Sequence, residues 1–238
     1  MYQRTTYSNE RTFFQKVRSF DYILLLCIFI IGVISCFTMY STDGGEFLYH
    51  TKSHIVRFSL FFSLMILIAF INIRFWYTTA YIFYLATLGL LIWASLYGIK
   101  VSGSQRWINL YFLNLQPSEL MKIAIILCLA KLFHRVQINS VNKISTLSIT
   151  FVLLFFPMAL VVSQPDLGTS ILIALSGICV LWLAGVNIKF FIYSSLLFVI
   201  TAPFVISFLK PYQKLRILTF LDPSRDPLGA GYQIIQSK

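Results

Sequence analysis

The chain has 238 residues, of which 58% are hydrophobic and 11% charged, whereas a soluble domain carries roughly a quarter charged residues. That composition excludes a soluble globular protein, because too few polar side chains are present to clothe a surface in water. The 19 Lys and Arg residues give a formal charge of +11, but they sit in short connections and tails instead of one stripe, which argues against nucleic-acid binding.

A helix needs about 20 mostly apolar residues to cross a bilayer core, since each residue rises about 1.5 Å and unpaired backbone groups are costly there. Residues 22–42 are uncharged throughout and form the first such segment. A polar loop with Asp43, Glu46, His50, Lys52 and His54 leads to a second span at 58–73, and a third occupies 75–97. The segment 120–133 is shorter and holds Lys122, while 145–162, 170–186 and 190–209 read as further spans. The expected fold is all-α: a polytopic membrane helical bundle with seven transmembrane helices in this chain. It reads as a single integral membrane domain over 1–238, with 1–21 as a cytoplasmic tail and 210–238 as the start of a large outer loop.

Arg4, Arg11, Lys16 and Arg18 precede the first span, which places the N-terminus in the cytoplasm by the positive-inside rule. Arg74, Lys131, Arg135, Lys143 and Lys189 then fall inside, a bias of nine cations against four up to residue 209. Lys210, Lys214, Arg216, Arg225 and Lys238 would lie outside against the rule, as cations that hold an anionic ligand do. The first apolar run is too long for a cleaved signal peptide and no small-x-small site follows it. Cys27, Cys36, Cys128 and Cys179 lie inside spans without metal-type spacing and read as small packing residues.

Three strings on the expected outer side carry unusual composition. The first is GSQRWINLYFLNLQPSELMKI, 103–123. Pro117 suits the first turn of a helix, Gln116 or Asn114 its cap, and Glu119 the positive end of its dipole. Lys122 follows on the same face and can pair with Glu119, either as a structural ion pair or as part of a substrate path. Arg106 and Trp107 read equally as headgroup-level anchors or as site residues. The second string is QPDLGTS, 164–170, where Asp166 reads as a turn and helix cap or as a substrate contact. The third, 212–238, is either an interfacial amphipathic stretch or a cationic site. Lys214, Arg216 and Arg225 suit a pyrophosphate, and Asp222 and Asp226 suit a base or metal ligands, which leaves a divalent metal open as cofactor. No catalytic Ser/His/Asp or Cys/His set, phosphate loop or dinucleotide fingerprint can be assembled.

Together GSQRWINL, QPSELMKI, QPDLGTS and LDPSRDPLGAGYQIIQSK resemble the SEDS family of shape, elongation, division and sporulation proteins, the last string its RodA branch. The resemblance covers essentially the whole chain. It implies a peptidoglycan glycosyltransferase that polymerises lipid II on the outer face of the bacterial cytoplasmic membrane. It further implies a class B penicillin-binding transpeptidase as partner in the cell-elongation complex. The Trp, Glu and Lys important in the family correspond to Trp107, Glu119 and Lys122, with Arg106, Asp166, Lys214, Arg216 and Arg225 as substrate-binding candidates. Family members run to about ten spans, and their catalytic Asp lies in the outer loop after span seven, a stretch that no residue here matches. The chain is therefore expected to be a C-terminally truncated bundle without its catalytic base. A lipid-linked precursor translocator and a noncatalytic scaffold remain the alternative functions.

Overall fold

A computed structural model describes residues 13–101, 104–110, 114–208, 214 and 218–219. The helices are α1 (Phe13–Arg18), α2 (Tyr22–Thr42), α3 (Tyr49–Ala69), α4 (Ile73–Tyr97), α5 (Pro117–Arg135), α6 (Ile144–Ser163), α7 (Leu167–Leu183) and α8 (Ile188–Phe208). Between α4 and α5 run three short strands, β1 (Ile99–Val101), β2 (Ser104–Asn109) and β3 (Asn114–Leu115). Four helices, α2, α3, α4 and α6, are long and apolar enough to cross a membrane on length and composition alone. α7 and α8 are apolar too, whereas α5 carries Glu119, Lys122, Lys131 and Arg135, each held by a charged, polar or aromatic partner. Large apolar side chains such as Ile149, Phe151, Phe155, Leu175, Ile192 and Leu196 stand exposed, as lipid-facing surfaces require.

Contacts divide the chain into two compact units, Met1–Phe75 and Trp76–Lys238. In the first, Asp21 caps α2 by accepting a hydrogen bond from the Leu24 amide at 3.0 Å. α2 and α3 meet where Gly32 leaves room for the Phe58 ring; a Cβ at position 32 would stand 2.0 Å from that ring. Farther along, Ser35 Oγ and His54 Nε2 lie 2.9 Å apart. At the turn the Asp43 carboxylate accepts bonds from the Thr51 amide at 2.9 Å and the Thr51 hydroxyl at 2.6 Å. α3 consequently begins at Tyr49, not at 58 as hydropathy suggests. Thr51 and His54 find polar partners on the neighbouring segment, so they need no aqueous loop.

The second unit packs α4, α5, α6 and α7 around fully buried Leu91, Met121, Ile125, Leu129, Val161 and Ile173. Pro157 lies inside α6. With no N–H it cannot bond the carbonyl four residues back, and the Tyr84 hydroxyl donates to that carbonyl, Leu153 O, at 2.8 Å. At the opposite end Lys131 is buried: its ammonium donates to Thr78 O at 2.7 Å and lies 4.5 Å from the Tyr81 ring centre. The helices thus satisfy across their interfaces what lipid would leave unpaired.

Candidate functional site

The stretch 103–119, which reads as a loop in the sequence, holds instead two strands of a small antiparallel sheet and the start of α5. β1 pairs with β2 in the register Ile99↔Trp107, Lys100↔Gln105 and Val101↔Ser104, and β2 with β3 through Ile108↔Leu115 and Asn109↔Asn114. The hairpin leaves α4 at Gly98, where a Cβ would fall 2.3 Å from the Ala94 carbonyl oxygen, so a larger residue would force the chain out of this exit. Gln105 fastens it there by donating to Leu96 O at 3.1 Å. Alternation along β2 then sends Arg106 and Trp107 to opposite faces.

Arg106 meets Asp166, sixty positions away in the chain, with Nη1 3.0 Å from Oδ2. Asp166 is the N-cap of α7: its Oδ1 accepts from the Thr169 amide at 3.2 Å. Gln116 donates from Nε2 to the same Oδ2 at 3.0 Å and to Ser118 Oγ, also at 3.0 Å. Asp166 is 8% exposed, and a buried carboxylate is costly unless charged and neutral donors meet its oxygens, as they do here. Arg106 Nε is buried with no partner among the described residues. One carboxylate thus joins β2, the N-terminus of α5 and the N-terminus of α7.

Pro117 occupies the first turn of α5 behind Gln116, its N-cap. Glu119 follows in that turn, and its Oε2 lies 2.7 Å from Lys122 Nζ. The Glu119 side chain is 54% exposed and that of Lys122 24%, so the carboxylate faces outward while the ammonium lies partly sheltered. Glu119 also stands at the positive end of the α5 dipole, which favours its charge. Between residues 47 and 221 the sequence holds two acids, Glu119 and Asp166. Both sit at the same end of the bundle, each against a cation.

The structure brings Arg106, Asp166, Glu119 and Lys122 to one end, with Trp107 partly buried on β2 beside them. Lys214 is half-buried in the segment after α8, whereas Arg216 and Arg225 lie outside the described residues. Among the described residues no group of three or more His, Cys, Asp or Glu side chains could hold a metal ion. Sequence reading missed the reach of Gln116. The signal available was its place just before Pro117, where an N-cap side chain is free to turn away from the helix.

The family model described as cell cycle protein, covering FtsW, RodA and SpoVE, matches residues 17–238. The chain is 36% identical over 231 residues to peptidoglycan glycosyltransferase MrdB of Escherichia coli K12, an alignment covering 97% of this chain and 61% of that protein. A probable peptidoglycan glycosyltransferase FtsW of Buchnera aphidicola subsp. Baizongia pistaciae is 31% identical over 233 residues, covering 93% of this chain and 60% of its own. The chain therefore spans about three fifths of the length of these relatives. A solved peptidoglycan synthase complex that coordinates polymerization and crosslinking contains a chain of similar structure, with a TM-score of 0.78 and 28% identity over 92% of this chain and 64% of that one. The fold also matches the Thermus thermophilus rod shape determining protein RodA, with a TM-score of 0.61 and 23% identity over 74% of this chain and 57% of that one. Helical membrane architecture, the match over residues 17–238 and these relatives agree, and the chain belongs to the FtsW/RodA/SpoVE family of cell cycle proteins.

Proposed function

We propose that this chain handles lipid II in a peptidoglycan glycosyltransferase of cell elongation, at the outer face of the bacterial cytoplasmic membrane. The observation that carries the reading is the placement of the two acids between residues 47 and 221 at one end of the bundle, each bonded to a cation. Ionised side chains in a membrane protein cost several kcal/mol unless paired, and they mark the path of a polar substrate. Relatives named peptidoglycan glycosyltransferase support the reaction class.

In that reaction a sugar hydroxyl of one lipid-linked unit attacks the anomeric carbon of another, the hydroxyl proton passes to a base, and polyprenyl pyrophosphate leaves. Lys122, partly exposed in the first turns of α5, would stabilise developing phosphate charge, with Glu119 holding the ammonium in place. Arg106 supplies a second cation whose direction Asp166 fixes. Trp107 offers a flat apolar face suited to a sugar ring or lipid headgroup. No residue of this chain is assigned the base. The synthase complex that couples polymerization with crosslinking supports a class B penicillin-binding transpeptidase as partner.

Lipid II polymerisation by the full-length gene product, beside Trp107→Ala and Glu119→Ala, tests the reading. Each variant is expected to lose at least about a hundredfold in rate, the scale of one positioned electrostatic or proton-transfer group. Undiminished synthesis by both would remove these residues from the mechanism. Movement of labelled lipid II across vesicles without polymerisation would instead favour a translocator, and transpeptidase binding without either activity a scaffold.

A further inference from the structure

Gln116 performs none of the capping expected of its position, for its side chain bonds no amide of the first α5 turn. Its amide nitrogen reaches across to Asp166 Oδ2, the oxygen that also receives Arg106 Nη1. Two donors from two elements therefore converge on one carboxylate oxygen, and the other oxygen is tied to the Thr169 amide. Asp166 cannot turn without releasing the α7 cap, so its position is set by the fold. Arg106 is aimed by that position. The charges already balance within the ion pair, and a neutral donor strengthens the junction without adding net charge.

We infer that Gln116 is a positioning residue, a neutral latch that holds Asp166, and through it Arg106, against the α5 turn carrying Glu119. The functional half of the inference rests on the glycosyltransferase reading; the latch itself does not. Among the described residues, the charged groups around position 116 are Arg106 on β2, Asp166 ahead of α7, and Glu119 and Lys122 in α5.

Gln116→Glu keeps the size and replaces the donor by a second carboxyl beside Asp166. In alkali two carboxylates side by side repel, whereas in mild acid a proton shared by the introduced pair restores a donor between them. Gln116→Leu removes the donor at every pH. Tryptic nicking after Arg106 in the full-length protein in detergent, each rate divided by that of wild type at the same pH, reads the latch. Lipid II polymerisation reads its consequence. For Gln116→Glu, nicking is expected to rise and polymerisation to fall about tenfold at the higher pH, with recovery toward wild type at the lower. Gln116→Leu should show both defects at both pH values. The recovery of one polypeptide within a single preparation separates positioning from misfolding. If the two variants behave alike across pH, or if either matches wild type, the latch is overturned. If wild type makes no glycan while nicking follows the expected pattern, the latch stands and the glycosyltransferase reading falls.

Discussion

Asp43 shows how a single side chain fixes a helical hairpin. Its carboxylate collects the hydroxyl and then the amide of Thr51, and these bonds hold its pKa below the ordinary carboxylate value of 3.8. Because the folded value is depressed, the pair stabilises the fold above the unfolded pKa, and that contribution is lost as the pH falls through the folded value. Asp43→Asn should therefore melt at a lower temperature than wild type in detergent at about pH 6, and the two melting temperatures should converge as the pH falls through the lowered folded value. A difference that persists unchanged in acid would assign the effect to something other than the ionised carboxylate. Local pairs of this kind leave a trace in sequence. The pairing of Glu119 with Lys122 follows from a spacing of three, and the cap at Asp166 follows from an acid placed three residues before Thr169. The bond of Arg106 to Asp166 leaves no such trace, because its partners are set by how α5, α7 and the hairpin pack and not by spacing along the chain.

At the scale of elements, apolar length made the helices legible and polar side chains hid their ends. α2 has the bounds that hydropathy gives it, whereas α3 extends through His50, Lys52 and His54, residues that read as loop until their partners are known. The hairpin was masked for a related reason. Its strands are short, β3 having only two residues, and α5 follows at Pro117 with Gln116 alone between them. Helix contact is decided by small residues. At Gly177 a Cβ would stand 2.2 Å from Leu154 Cδ2 and 2.8 Å from Cδ1, so α6 and α7 approach closely at that point. Gly177→Ala should cost about 1–3 kcal/mol, the range for overpacking a filled interface. In a cycle with Leu154→Ala the double variant should be less destabilised than the sum of the single ones, since the shortened side chain vacates the space that the new methyl needs. Thermal unfolding of the four proteins in one detergent measures the coupling, and strict additivity would mean that the two residues do not compete for that space.

Across the whole molecule, the distribution of charge distinguishes the two ends of α5. Its 19 residues span about 28 Å at 1.5 Å each, close to the roughly 30 Å of a bilayer core. Glu119 and Lys122 therefore approach one membrane face while His134 and Arg135 approach the other. The second end carries cations alone: Arg135 lies against Tyr77, with its Nε 3.3 Å from the phenol oxygen, and Lys143 follows exposed before α6. An excess of Lys and Arg marks the cytoplasmic side, so the proposed topology sets the hairpin and both paired acids on the outer side. Single cysteines test this directly, in a background where Cys27, Cys36, Cys128 and Cys179 are replaced by Ala. Leu110→Cys, exposed beyond β2, should react with a membrane-impermeant maleimide in intact cells. Asn139→Cys, exposed in the 3-10 turn Ile138–Ser140, should react only after permeabilisation. The reverse pattern would put the Arg106–Asp166 junction in the cytoplasm. It would also remove the proposed glycosyltransferase reading, which requires these groups on the outer side.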